Sequence, residues 1–350
     1  MRTLLGIGAF GGMWLGVLVG LGILGETLAP VHPEITARRA LIERSAADIT
    51  ALSLGSSHAR AIDFPSMEIE GFHLSRSSGD IHEAAFLLEE MLPRLPALRC
   101  VLLPLSPFLL TLDNGAPTTR DRSALRRELY VRTGSLRYID GDLRPFVAGK
   151  LAPVARPDHW RGVINRFRGF PPGGTVEPDG AIPHPDQLRT ISRDSLRVHG
   201  AAAARLHHEL SMESLSLRPD VRSRSIRALG TVIEQAGERG VHVFLYTPPY
   251  HAAYLVALPD DAMRRERSLG SNLSRRYAHV SYVDYAAHPA FTNEDRYFHN
   301  SDHLNRYGAT DFSRMLARPG GVADPAICGS GPVESRARPT GVASSGGDRG

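Results

Sequence analysis

The chain has 350 residues, of which 42% are hydrophobic and 22% are charged, and its formal net charge at pH 7 is +4. These proportions are those of a globular protein with a sizeable core. The arginines are scattered and form no basic block with interleaved aromatics, so nucleic acid is not an expected partner. A mildly basic surface instead favours anionic substrates or lipid head groups.

The first predicted element is a membrane-spanning helix within residues 1–28, because residues 3–25 carry no charge. About 20 apolar residues suffice to cross the hydrocarbon core of a bilayer. The stretch is longer than the apolar region of a signal peptide, about 7 to 15 residues, so an uncleaved anchor is favoured over a cleaved signal. Glycine at every fourth position lets two membrane helices approach closely, so self-association of the span is a further hypothesis. These glycines are Gly8, Gly12, Gly16 and Gly20.

Residues 29–47 are polar with helical spacing and are predicted to form a juxtamembrane linker. An α/β domain is predicted to follow over residues 48–316. It begins with a buried strand over 49–54, a weaker strand over 70–74 and a third buried strand over 100–105, with helical segments between them. This alternation predicts a three-layer, doubly wound parallel sheet of the flavodoxin-like type.

Residues 111–200 interrupt the alternation with many Arg, Pro, Gly and Asp residues. They are predicted to form an inserted cap that faces the substrate and contains a short helix over 196–210. The tail over 317–350, which is rich in Gly, Pro, Ser and Arg, is predicted to be disordered. Between cap and tail the α/β alternation returns. Its predicted elements are a helix over 221–239, a strand over 241–246, a helix over 260–276, a strand over 280–285 and a helix over 306–316.

The two cysteines of the chain are not expected to pair. Cys100 lies in a predicted buried strand, whereas Cys328 lies in the predicted disordered tail. No cysteine or histidine spacing typical of a metal site occurs, and His207 and His208 are merely adjacent, so no metal is expected. No glycine-rich phosphate loop follows a strand, so no nucleotide or other cofactor is expected.

One candidate catalytic residue is Ser57, which follows the first predicted strand and the turn residue Gly55. A serine on a sharp turn between strand and helix presents its hydroxyl at the carboxyl edge of the sheet, where ligands bind in open α/β folds. Its own N–H, helped by the start of the helix, would point to a developing oxyanion. The alternative is an ordinary serine cap after a glycine turn.

The second candidate is His303, which lies in a polar segment just before the last predicted helix. A histidine that acts as general base needs a partner that fixes its tautomer and stabilises its cation. The neighbouring Asp302 and Asn300 offer such groups. The alternative is a surface loop with a capping residue for the helix.

Together the two segments resemble the first and last blocks of the SGNH/GDSL hydrolase family. In that family a nucleophilic serine follows the first strand in a Gly-x-Ser turn, and a histidine base opens the last helix. The resemblance covers residues 48–110 and 215–316 and is closest to a membrane-anchored branch that includes DltD-like and alginate O-acetylation-type proteins. The matching residues are Gly55-Ser56-Ser57 in the first block and His303-Leu304-Asn305 with Gly308-Ala309 in the last.

The chain departs from the family pattern three residues before the base, where Asn300 stands in place of the usual Asp. An amide can orient an imidazole but cannot stabilise its cation by charge. Asp302 could take the role if the loop turns tightly, although neighbouring side chains on an extended segment point apart. Asp284, at the end of the last predicted strand, is a third candidate.

Further site residues are assigned by the same resemblance or by their place at strand ends. The oxyanion donors would be the N–H groups of Ser57 and Gly79, and Ser106 stands where the family's third block supplies a further donor. The candidates for substrate binding, taken from the ends of strands and the turn after the nucleophile, are Tyr250, His251 and His58.

These features predict a serine esterase or O-acyltransferase that works through an acyl-serine intermediate. The resemblance implies a bacterial inner-membrane protein with its catalytic domain on the periplasmic side, anchored through residues 3–25. Its partners would be an acyl donor and a glycan or other hydroxyl acceptor, with a cell-envelope or exported polysaccharide as the substrate. The alternative is an inactive domain of the same fold that binds glycan or scaffolds a polymer-modification complex. It is motivated by Asn300 and by the absence of the asparagine that the family's third block usually carries.

Overall fold

The computed structural model describes the α/β domain and short parts of its flanks. The described residues are 12–14, 16–17, 20–21, 33–111, 164, 176–181, 191–259, 261–318, 322 and 328. Most of the predicted cap, most of the predicted anchor with Gly8, and most of the predicted disordered tail therefore lie outside them. Within the described residues, no helix combines the length and the apolar character that a bilayer crossing needs.

In the described part of the chain the strands come in two groups, five that form the main sheet and two that form a small hairpin. The main strands are β1 (Ala51–Ser53), β2 (Gly71–His73), β3 (Cys100–Pro104), β4 (His242–Thr247) and β5 (Val280–Asp284). The hairpin consists of β6 (Phe298–Asn300) and β7 (His303–Leu304), which pair antiparallel. All five main strands were predicted from the sequence, with ends that differ by a few residues.

Nine α-helices accompany these strands in the described residues. They are α1 (Pro33–Ser45), α2 (Phe64–Met67), α3 (Ile81–Met91), α4 (Arg193–Leu217), α5 (Val221–Glu238), α6 (Ala252–Ala257), α7 (Ala262–Arg276), α8 (Pro289–Thr292) and α9 (Arg306–Leu316). Three 3-10 helices span Ser57–Ala61, Leu92–Arg94 and Asp295–Tyr297.

The main sheet is parallel throughout and has the strand order β2-β1-β3-β4-β5. Alternate strand residues face opposite layers of helices, since Leu52 and Val101 join one apolar core while Ala51 and Leu102 join the other. Helices α3 and α5 cover the first face, and α2 and α9 cover the second. The predicted α/β fold with a parallel sheet is therefore confirmed, and the helices are compatible with the predicted three-layer arrangement.

The chain reverses direction across the sheet between β1 and β3, which are neighbours although β2 comes between them in sequence. Open α/β sheets bind ligands at such a switch point, outside the carboxyl ends of the strands. The segment that follows β1 contains Ser57, so the fold brings this serine to the edge where a ligand is expected.

Helix α1, which lies in the predicted linker, is an integral part of the domain. Ile42 is 1% exposed and belongs to the first core. The buried Arg38 donates hydrogen bonds to the carbonyl oxygens of Gly180 (2.7 Å) and Ser75 (2.6 Å). Helix α1 therefore packs on the α/β domain through both apolar and polar contacts.

Parts of the predicted insertion also belong to the domain. Residues 176–181 lie beside the edge strand β2, where His73 N–H donates to the Asp179 carbonyl at 2.7 Å. The short helix predicted over 196–210 is instead the 25-residue helix α4, which is capped at its start by Ser192. The interruption of the α/β alternation therefore ends before residue 193.

The prediction that the cysteines do not pair is wrong, because Cys100 and Cys328 form a disulfide. Both cysteines are buried, and Val322 is buried beside them in the second core. The tail therefore packs on the sheet at least at these two positions. Apolar residues separated by Gly- and Pro-rich sequence gave no periodic signal from which this contact could be predicted.

We expect Cys328→Ser to lower the free energy of unfolding by about 2–5 kcal/mol, since the disulfide joins residues 228 apart in sequence and so restricts the unfolded chain. Urea unfolding under non-reducing conditions measures the loss. Cys100→Ser should cause a similar loss, and the double variant should add little to either. Equal stability of wild type and Cys328→Ser would contradict the stabilising role of the bridge.

Candidate active site

Ser57 is placed by a tight turn at the end of β1. Gly55 has a φ of 102°, a backbone conformation that glycine adopts readily and that residues with a Cβ atom rarely adopt. Ser56 then caps the 3-10 helix Ser57–Ala61, its hydroxyl accepting from the His58 N–H at 3.4 Å. The predicted turn into a helix is confirmed, although the helix is a five-residue 3-10 turn. Ser57 is partly exposed at the carboxyl edge of the sheet.

His303 contacts Ser57 although the two residues come from opposite ends of the domain's sequence. Its Nε2 lies 2.7 Å from the Ser57 Oγ, within hydrogen-bond distance, although 246 residues separate the two. The histidine lies on β7, directly before α9, which Asn305 caps by accepting from the Gly308 N–H at 3.0 Å. The Ser57–His303 pair predicted from the two sequence segments is therefore in contact.

The other ring nitrogen of His303 faces two of its predicted partners at once. Nδ1 lies 3.1 Å from Asn300 Oδ1 and 3.2 Å from Asp302 Oδ1. Residues 301–302 form the turn between β6 and β7, and this turn brings Asp302 back beside its neighbour. Because both neighbouring oxygens accept hydrogen bonds, Nδ1 carries the proton and Nε2 is left to accept from the serine hydroxyl.

Asp302 is a buried carboxylate among several imidazoles. Its carboxylate oxygens lie 3.8 Å from His58 Nε2, 3.9 Å from His207 Nε2 and 4.0 Å from His199 Nδ1. Burial by itself raises the pKa of Asp302, but the surrounding imidazoles, with His303 the strongest, hold that pKa well below its ordinary value. Asp302 is therefore ionised at neutral pH and can stabilise a positive charge on His303.

The remaining partner candidate, Asp284, is directed elsewhere. It ends β5, where its carboxylate binds the Arg267 guanidinium and accepts from the Ala286 N–H at 3.0 Å. No hydrogen bond or ion pair joins it to His303, and all of these residues belong to the described chain. Asp284 is therefore not the orienting partner of the histidine.

Of the three predicted oxyanion donors, the Ser57 N–H is better placed than Gly79 or Ser106. The Ser57 N–H begins the first turn of a helix, where backbone donors have no acceptor within the helix. The Gly79 N–H donates instead to the Arg76 carbonyl at 3.1 Å, and a side chain at Gly79 would meet the Gly55 carbonyl oxygen at 2.6 Å. Gly79 therefore allows two turns to approach closely. Ser106 is buried after β3, and no hydrogen bond joins it to Ser57 within the described residues.

The three residues predicted to bind substrate lie deeper than expected. The His58 ring stacks on the His303 ring with centroids 4.6 Å apart and planes 5° apart. Tyr250 is fully buried and meets the edge of the His58 ring at 5.6 Å. His251 is buried, caps α6 and contacts Asp295 at 3.1 Å. His58 lines the cleft that contains Ser57, whereas Tyr250 and His251 are not among the described residues that line it.

The cleft around Ser57 includes residues that the sequence did not single out. Pro248 and Pro249 follow β4, and His299 comes from β6. Arg60 lies on the same 3-10 helix as the serine and also lines the cleft. Only the serine turn itself could have pointed to Arg60, since it is three residues further along the chain.

His58, Asp302 and His303 place three metal-type ligand atoms within 4.8 Å of one another. A metal ion binds an imidazole nitrogen along its lone pair, which lies in the plane of the ring. The two histidine rings are stacked with nearly parallel planes, so one ion cannot lie in both planes. This trio therefore suits a shared carboxylate better than a metal ion.

We expect His58 and Asp302 to add no ionisation to the pH dependence of kcat/KM for ester hydrolysis near neutral pH. Burial, and then the nearby His303, hold the pKa of His58 well below 6.5, so His58 is already neutral near pH 7. Asp302 stays ionised over the same range because its pKa is well below 3.8. A pH–rate profile between pH 5 and 8 that needs two ionisations of similar size would contradict this assignment.

The chain matches no protein-family model and no curated relative. The functional argument therefore depends on the fold and on the geometry of this site.

Proposed function

We propose that the protein is a serine ester hydrolase or O-acyltransferase that acts through an acyl-Ser57 intermediate. The observation that carries the proposal is the 2.7 Å contact between Ser57 Oγ and His303 Nε2, with Asp302 and Asn300 on the far side of the same ring. A hydroxyl, an imidazole and a carboxylate in this order form the arrangement that activates serine for attack on acyl groups.

In the first half-reaction, Ser57 Oγ attacks the carbonyl carbon of the acyl donor while His303 Nε2 takes the hydroxyl proton. The imidazolium that forms donates from Nδ1 to Asp302, whose negative charge stabilises it. The Ser57 N–H faces the negative oxygen of the tetrahedral intermediate. The bond to the leaving alcohol then breaks, and that alcohol receives the proton from Nε2.

In the second half-reaction, water or an acceptor hydroxyl attacks the acyl-serine carbonyl. His303 removes the proton from the attacking oxygen and returns it to Ser57 as the ester bond breaks. Attack by water gives a carboxylic acid, whereas attack by a hydroxyl gives a new ester. Both outcomes use the same residues, so we propose the acyl-serine chemistry for either.

The fold supports an SGNH-type assignment. The strand order 2-1-3-4-5 puts Ser57 after the first strand at the switch point, and His303 precedes the last helix. The position usually taken by Asp in that family is Asn300, but Asp302 supplies a carboxylate at 3.2 Å. This carboxylate weakens the argument from Asn300 for the alternative, an inactive domain that binds glycan or scaffolds a complex.

We further propose an extracytoplasmic location, with residues 3–25 as the anchor and a cell-envelope or exported polysaccharide as the substrate. The disulfide between Cys100 and Cys328 supports the location, because such bonds persist in oxidising compartments and are rare in the cytosol. Fractionation of cells followed by protease digestion of intact spheroplasts tests it. Protection of the domain from the protease would count against the proposal.

The enzymatic proposal is tested with the full chain purified in detergent. Wild-type protein should hydrolyse 4-nitrophenyl acetate and should react with a fluorophosphonate probe, and peptide mass spectrometry should locate the adduct on Ser57. Probe reaction requires a serine activated by its base, so heat-unfolded protein serves as the negative control. Absence of both hydrolysis and labelling would overturn the proposal.

A further inference from the structure

Arg60 is a partly buried cation that lines the same cleft as Ser57. Burial lowers the pKa of its guanidinium from the ordinary value. One guanidinium nitrogen donates to Ser77 Oγ at 2.8 Å, which fixes the side chain without neutralising its charge.

No carboxylate of the described residues lies within ion-pair distance of Arg60, whereas Arg76, on the neighbouring turn, pairs with Glu83. Asp302 also lines the cleft, but it is 3% exposed and shared among imidazoles. Removing a cation from water without a counter-charge is costly, so the site gains most from an anion supplied by a ligand.

The other groups that line this cleft do not offer a second positive charge to an anionic ligand. Pro248, Pro249 and Leu304 are apolar, and burial keeps His58 neutral near pH 7. His299 Nδ1 is engaged with the Leu304 carbonyl at 3.0 Å. Within the described lining, the guanidinium is thus the permanent positive charge that an approaching substrate meets next to Ser57.

We propose that Arg60 selects substrates that carry an anionic group, such as a carboxylate or a phosphate, close to the ester bond. This inference rests on the proposed acyl-serine function and adds a substrate class to it. A planar guanidinium binds carboxylate and phosphate oxygens through parallel hydrogen bonds, which gives both orientation and affinity. The anion would hold the ester with its carbonyl over Ser57 Oγ.

The experiment compares charged and neutral esters with the full chain. One pair places the charge on the acyl side, as mono-4-nitrophenyl succinate against 4-nitrophenyl acetate. The other places it on the alcohol side, as 4-acetoxybenzoate against its methyl ester. After division by the spontaneous hydrolysis rates, kcat/KM of wild type should favour the charged member of at least one pair by about 10-fold or more. This preference should fall as salt is raised.

Arg60→Gln should reduce that charged-to-neutral ratio by about 10-fold, whereas Arg60→Lys should keep part of it because the charge remains. Arg275→Gln, an exposed arginine on α7, is the matched control and should leave the ratio unchanged. Hydrolysis of the neutral esters with no preference in either pair, or an unchanged ratio in Arg60→Gln, would overturn the inference alone. Failure of wild type to hydrolyse any ester and to label with fluorophosphonate would overturn the proposed function as well.

Discussion

Replacing Ser57 with alanine should abolish both ester hydrolysis and fluorophosphonate labelling. The variant removes the hydroxyl that contacts His303 Nε2 at 2.7 Å, so no acyl-enzyme can form there. In triad enzymes, loss of one member typically lowers kcat by about 10⁴-fold or more, and the residual rate comes from binding and oxyanion contacts. Initial rates with 4-nitrophenyl acetate measure the loss, with active-site titration to count functional molecules.

The adjacent serine provides a control within the same turn. Ser56 caps the 3-10 helix and its hydroxyl contacts His58, not His303. Ser56→Ala should therefore keep probe labelling, even if the lost cap lowers the free energy of unfolding by about 1 kcal/mol. Equal labelling of Ser57→Ala and wild type, or loss of labelling in Ser56→Ala with an intact fold, would contradict the assignment of Ser57 as the nucleophile.

Replacing Asp302 with asparagine should lower kcat by about 10²- to 10⁴-fold with little change in KM. The carboxylate lies 3.2 Å from His303 Nδ1, is 3% exposed and stays ionised at neutral pH. An amide has a similar shape but no charge, so the imidazolium that forms in the transition state loses its counter-charge, and a wrong tautomer can form. The measurement is kcat as a function of pH, with thermal unfolding to confirm that the variant folds.

Asn300 gives the matched comparison, since its Oδ1 lies 3.1 Å from the same ring nitrogen. Asn300→Ala should lower kcat by less than about 10-fold, because Asp302 still holds the His303 ring and carries the negative charge. Asn300→Asp should retain activity and should partly rescue Asp302→Asn by restoring a carboxylate at Nδ1. A larger loss of kcat in Asn300→Ala than in Asp302→Asn, with both variants folded, would make Asn300 and not Asp302 the main partner of His303.

Local sequence patterns predicted the α/β fold and drew attention to the two segments that contain Ser57 and His303. The strands β3 and β4 are apolar on both faces, which is the pattern of a parallel strand between two layers of helices. Ser57 could be singled out because a short strand, a glycine turn and a helix start occur together within ten residues, and its role was implied by the resemblance to the SGNH/GDSL family. His303 could be predicted because its place before the capped helix α9 is also a local property.

The partner of the histidine could not be predicted, because it depends on how one turn folds back. On an extended segment Asp302 would point away from its neighbour, and the turn at residues 301–302 brings it to Nδ1 instead. The stacking of His58 on His303 and the approach of His207 from α4 depend on elements far apart in the chain. No local periodicity encodes such contacts.

The sequence by itself thus determined the order of strands and helices, since these follow from burial periods and turn chemistry, whereas the roles predicted for Ser57 and His303 came from the resemblance of two segments to the SGNH/GDSL family. Only the tertiary structure decided which carboxylate faces His303, that Cys100 pairs with Cys328, and that Arg60 stands beside Ser57 without a counter-ion in the described residues. The physical reason is that each of these depends on the packing of distant segments, and packing selects among contacts that local sequence leaves equally open.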